Sequence, residues 1–166
     1  MMRRIALILS LLALPACGLH PLYGGGTGGP VAATLRAVQV AAIPGKSGWL
    51  IRNKLIDRLG ESGSGTARYR LDVTLDDNIT SFGLRSDRAA TQERRTLRAR
   101  YQLVDLSNGT VVLDATSGSD TGIDIVSSEY ATVAAEQTAL ENLSDLVADQ
   151  IVARLALYAA RSGPAK

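Results

Sequence analysis

Tyr69-Arg70-Leu71-Asp72-Val73-Thr74-Leu75-Asp76 is the stretch that decides how this chain folds. Apolar and polar residues alternate without a break. A strand built from it turns Tyr69, Leu71, Val73 and Leu75 to one face and Arg70, Asp72, Thr74 and Asp76 to the other. A second segment repeats the pattern, with Leu97, Ala99, Tyr101 and Leu103 alternating with Thr96, Arg98, Arg100 and Gln102. Asp77 to Arg88 reads as a polar connection between the two. Beyond the second strand, Ser107-Asn108-Gly109 is a tight-turn signal. The return segment, from Thr110 to about Ser117, is expected to pair antiparallel with Val111, Leu113 and Ala115 turned inward.

A sheet apolar on one side only needs a cover, and the flanking segments supply it. Upstream, Leu35 to Ile43 reads as a strand with Val38, Val40 and Ala42 on one face, ended by Pro44-Gly45. Ser47 is expected to cap a helix running to Leu59. In it Ile51, Leu55 and Leu59 recur at four-residue spacing with Leu50 and Ile56 beside them. Gly60 stops it, and a loop follows in residues 61–65. Downstream, Ser127 or Ser128 caps a long helix, and Glu129 sits near its positive end. Leu140, Leu143, Val147, Ile151, Leu155 and Tyr158 form its apolar stripe. About thirty residues make a rod of roughly 45 Å, longer than a four-stranded sheet is wide, so it bends or its end projects. The element order predicts an α+β fold: a two-layer sandwich of a four-stranded mixed sheet with two helices on one face, the C-terminal helix long.

The N-terminus carries a different message. Arg3 and Arg4 precede an apolar run from Ile5 to Leu14 that only Ser10 interrupts. That run is too short to span a hydrocarbon core of roughly 30 Å and suits the apolar region of a secretory signal. Leu14-Pro15-Ala16-Cys17 follows the pattern of a lipobox, so residues 1–16 are expected to be a lipoprotein signal peptide and Cys17 the acylated residue. Cys17 is the only cysteine, so it has no intrachain disulfide partner. Residues 17–30, with Gly24 to Gly29 glycine-rich, read as a flexible lipid-anchored tether. Residues 31–166 read as a single globular domain. Gly18 stands where an aspartate would favour the inner membrane under the sorting rule for such lipoproteins. The expected location is the outer membrane, lipid-anchored on its periplasmic side.

Composition and motifs speak against most chemistry. The formal net charge of +2 belongs to the signal, since removing Arg3 and Arg4 balances the basic side chains against the 16 acidic ones. No nucleic-acid footprint remains. Gly45-Lys46-Ser47 resembles the end of a phosphate-binding loop, but the motif needs a glycine five residues before Gly45, and Val40 stands there. His20 is the only histidine and lies in the tether, which leaves no zinc cluster and no base for a nucleophile. No catalytic residue, metal or cofactor is expected. The polar sheet face, with Arg70, Arg98 and Arg100 beside Asp72 and Gln102, is either a solvated surface of cross-strand ion pairs or one that meets a polar partner.

Cys17-Gly18-Leu19-His20-Pro21-Leu22-Tyr23-Gly24 closely resembles the mature start of the lipopolysaccharide-assembly lipoprotein family LptE, particularly its alphaproteobacterial members. The order of elements agrees along nearly the whole chain. The resemblance implies a non-enzymatic protein that plugs the outer-membrane β-barrel LptD, assists its assembly and helps insert lipopolysaccharide into the outer leaflet. A family loop arginine implicated in lipopolysaccharide contact corresponds to Arg85, in Ser81-Phe82-Gly83-Leu84-Arg85, with Arg88 nearby. Guanidinium forks match phosphate oxygens, although a solvated hairpin tip would carry such residues equally well. The basic residue that some members place before the last helix is absent here, where Ser127 and Ser128 stand. An auxiliary lipoprotein of a lipid-trafficking ABC transporter is the alternative with the same anchor and a similar architecture.

Overall fold

A computed structural model describes residues 29–60, 67–84, 90–125 and 128–162. Its elements are helix α1 (Pro30–Arg36), strand β1 (Val38–Val40), helix α2 (Gly45–Leu59), strands β2 (Tyr69–Leu84), β3 (Ala90–Asp105) and β4 (Thr110–Asp124), and helix α3 (Glu129–Ser162). The sheet has the order β1-β2-β3-β4. β1 runs parallel to β2, and the other pairs are antiparallel. The fold is therefore the expected α+β arrangement of a four-stranded mixed sheet with a long C-terminal helix, with α1 added.

The alternation in β2 and β3 does what its period requires. Leu71 and Val73 pair with Leu103 and Tyr101, and all four are buried. Against them lie Ile51, Leu55 and Leu59 of α2 and the α3 stripe of Leu140, Leu143, Val147, Ile151 and Leu155, in one apolar cluster. Tyr158 closes its end, its ring edge-on to Tyr69 at 6.2 Å. Polar contacts fasten the two helices: Asp145 meets Lys54 at 2.7 Å and Arg58 at 3.0 Å. Lys54, then Arg58, hold the Asp145 carboxyl below its usual range. Ser128 caps α3, accepting from the Ala131 N–H at 3.4 Å; Ser127 lies outside the described residues.

Four expectations are corrected. First, Leu35 to Ile43 is not one strand. Pro30 opens a short helix, the position where its fixed φ and missing N–H cost nothing, and Leu35 is buried from that helix. Only Val38–Val40 form the strand. Second, α2 starts at Gly45 with Pro44 before it and no side-chain cap, so Ser47 is not its cap; Gly60 ends it, at φ +65°. Third, Asp77 to Leu84 is strand, not loop, and β4 likewise runs on to Asp124. Strands of about 16 residues at roughly 3.3 Å each span about 50 Å, which matches α3 at 1.5 Å per residue. The helix lies along the hairpin instead of across a short sheet. Fourth, Val111 is 50% exposed. The ladder slips between Leu103 and Val104, so Leu113 pairs with Leu103 and Val111 with Val104; the extra residue turns Val111 outward. Leu113 and Ala115 do pack against the core.

Gly48 locks the entry to α2. A Cβ there would stand 2.6 Å from the Ile43 carbonyl oxygen, a backbone atom with nowhere to go. Gly48→Ala is expected to lower stability by about 1–3 kcal/mol through overpacking, read as a lower urea midpoint with an unchanged slope.

Candidate functional site

Two surfaces are left after the core is made: the open face of the sheet and the far end of the β2–β3 hairpin. On the open face the register aligns Asp72 with Gln102, Thr74 with Arg100, Asp76 with Arg98 and Asn78 with Thr96. Arg70 forks onto Asp72 along its own strand, at 2.9 Å. Arg100 reaches across to Asp114 at 2.9 Å, and Gln102 donates to the same carboxylate at 2.9 Å. Arg100 first, then Gln102, hold Asp114 below the usual carboxylate range. The cross-strand pairs expected of a solvated face are thus present.

Arg98 departs from them. Its guanidinium makes no hydrogen bond or ion pair among the described residues. Its stem lies over Gly118, where a Cβ would come within 3.0 Å of the arginine Cγ. Thr96, Thr116 and Asp120 complete a shallow hollow of about 270 Å³ around it.

At the far end the hairpin outruns α2. Arg94 stacks over the Phe82 ring, 5.6 Å from its centre, on the open side, and stands 3.6 Å from Asp120. Arg95 turns the other way. It grips Asp77 with two bonds of 2.9 and 2.7 Å and donates to the Glu136 carbonyl at 3.0 Å. Its side chain is only 12% exposed. An ion pair thus occupies the inner face where apolar residues run out, and it ties the hairpin to α3. Beside it, in front of the start of α2, opens a groove of about 470 Å³ lined by Lys46, Ile79, Tyr130, Val133 and Leu140 among others. Tyr130 and Val133 are exposed there, and no residue of α3 before Ala139 is buried.

Arg85 and Arg88 fall in the segment joining Leu84 to Ala90, outside the described residues, as does Cys17. The chain enters the sheet at Val38, beside Tyr69, whereas β2 ends with Leu84 at the opposite end of strands about 50 Å long. Arg94, Arg95 and Phe82 extend the site and were missed by sequence reasoning, which ended the strand at Asp76. The available signal was Ile79-Thr80, two β-branched residues within the polar run. No group of three or more His, Cys, Asp or Glu side chains among the described residues could hold a metal. No described helix is long and apolar enough to cross a membrane.

Fold and surfaces together define a class: a helix-backed sheet that offers a polar face and a long polar hairpin for contact. The particular family follows from comparison. The model of the lipopolysaccharide-assembly family LptE matches residues 35–155, most of the chain, and the protein belongs to that family of non-catalytic lipoproteins. It is similar in structure to an inferred lipoprotein from Caulobacter crescentus, with TM-score 0.66 and 28% identity, covering 82% of this chain and 100% of that one. Rare lipoprotein B from Shewanella oneidensis shares the fold at TM-score 0.57 and 11% identity, over 75% and 95% of the two chains. Lipoprotein B from Nitrosomonas europaea does so at 0.55 and 10%, over 76% and 83%. No curated protein matches the sequence. The chain thus belongs to a lipoprotein family with a role in lipopolysaccharide assembly.

Arg95→Met is expected to cost roughly 1–3 kcal/mol, because Asp77 is left half-buried without its partner. Asp77→Asn combined with Arg95→Met should cost less than the two single changes added together. Urea denaturation of the four proteins checks both.

Proposed function

We propose that the protein is exported with residues 1–16 as its signal, is acylated at Cys17, and stands on the periplasmic side of the outer membrane. There it plugs and helps assemble the lipopolysaccharide translocon barrel LptD and assists insertion of lipopolysaccharide into the outer leaflet. Membership of the LptE family over residues 35–155 carries this reading. A barrel lumen is polar, and the open sheet face offers ion pairs and hydroxyls with little apolar surface. It fits such a lumen without desolvating a hydrophobic patch.

Arg85 and Arg88 are the proposed lipopolysaccharide contacts. The thirteen residues from Cys17 to Gly29 reach at most about 45 Å, and the hairpin extends about 50 Å further from the point where the chain enters the sheet. An anchor at one end and arginines at the other suit a protein that contacts lipid away from its own leaflet. Lipid A phosphates would be gripped by guanidinium forks. Arg85→Asp with Arg88→Asp is expected to leave the circular dichroism and urea midpoint unchanged and to weaken lipopolysaccharide binding by about tenfold or more, the value of one or two charge-assisted contacts. Binding of lipopolysaccharide by the folded double variant at the original affinity would remove this site assignment.

A further inference from the structure

We propose that the free edge of β2, from Val73 to Ser81, receives an extended segment of another polypeptide as an added strand. This goes beyond lipid contact and does not depend on it. In an antiparallel pair the N–H and C=O of one residue point to the same neighbour. The Tyr69 N–H donates to Ala37 at 3.1 Å, and the Leu71 carbonyl accepts from the Ala41 N–H at 3.0 Å. Odd-numbered residues of β2 therefore turn their main-chain groups away from β3. Past Leu71 no described residue meets them. β1 ends at Val40, and the chain leaves the sheet through Pro44 into α2. Among the described residues, the main-chain groups of Val73, Leu75, Asp77, Ile79 and Ser81 have no main-chain partner on that side.

Such an edge is normally blunted by lysine, proline or a short strand. Between Val73 and Ser81 there is neither lysine nor proline, and the one inward charge, Asp77, is neutralised by Arg95. Below the edge lies the groove with Ile79, Tyr130 and Val133; above it stand Thr74, Asp76, Asn78 and Thr80, with the Asp76 carboxylate in no ion pair among the described residues. These two sides fix the occupant's chemistry. It alternates apolar residues, which enter the groove, with basic or hydroxylated ones, which lie beside Asp76 and the threonines. A second copy joined edge to edge would set two Asp76 rows on one face, which charge disfavours.

The test uses the full-length acylated protein in detergent and a synthetic peptide of about nine residues, the length of the free edge, alternating valine with lysine and threonine. Amide hydrogen exchange at Leu75, Asp77 and Ile79 is expected to slow by about tenfold or more when peptide is added. The outward amides of β4 serve as the control and should not change. Ile79→Pro removes an outward N–H without breaking a bond to β3, and it is expected to abolish the peptide's effect at Leu75 and Asp77. If that variant does not fold, exchange in the unaltered protein decides. Three results would overturn the proposal: protection of these amides before peptide is added, whether from this chain or from concentration-dependent self-association; no slowing at saturating peptide; or equal slowing on the β4 edge.

Discussion

The contact between α3 and the inner face of the hairpin is what the rest of the molecule depends on. Leu140, Leu143, Val147, Ile151 and Leu155 lie against Leu97, Ala99, Tyr101 and Leu103, and all are almost fully buried. Each large side chain withdrawn from water contributes on the order of 1.5–3 kcal/mol, so this seam outweighs any surface pair in the protein. Small residues let the helix come close: Ala148, Ala156 and Ser144 show no exposure. The Ser144 hydroxyl is satisfied within the helix, by the Leu140 carbonyl at 2.7 Å. With α3 fixed, α2 has only the near half of the sheet left to cover. The polar face, the free β2 edge and the overhanging hairpin all follow from that division.

The overhang shows how a fold can extend past its core. Beyond Leu75 the inward positions of β2 are Asp77, Ile79 and Ser81, and those of β3 are Arg95 and Glu93. Apolar burial no longer holds the strands there. The Asp77–Arg95 fork and the bond from Arg95 to Glu136 take its place, with the Ser81 hydroxyl on Glu93 at 3.2 Å. Partly buried forks of this kind give direction more than stability. They hold an otherwise solvated part of the hairpin over the start of α3.

Where the core dictated the pattern, the sequence could be read. Tyr69 to Leu75 and Thr96 to Leu103 alternate because one face is buried, and the α3 stripe recurs every three or four residues for the same reason. Reading failed where something other than burial set the structure. Leu35 looked like strand because an apolar residue near Val38 and Val40 fits either period; Pro30 at a helix start was the overriding signal. Asp77 to Leu84 looked like loop because strand pairing there rests on ion pairs and main-chain bonds, which leave no hydropathic trace. Val111 was misassigned because a bulge shifts register without any mark in composition. The site was legible only through resemblance: nothing in the spacing of Arg85 and Arg88 distinguishes a phosphate clamp from a wet turn. Arg94, Arg95 and the groove become visible only once the strands are known to continue.

In the proposed function, a helix-backed, lipid-anchored module works by contact with an outer-membrane barrel. Purifying the acylated protein from separately solubilised inner and outer membranes tests this most directly. It should emerge from the outer membrane in a stoichiometric complex with a large β-barrel. Emergence from the inner membrane together with the subunits of an ABC transporter would contradict the account.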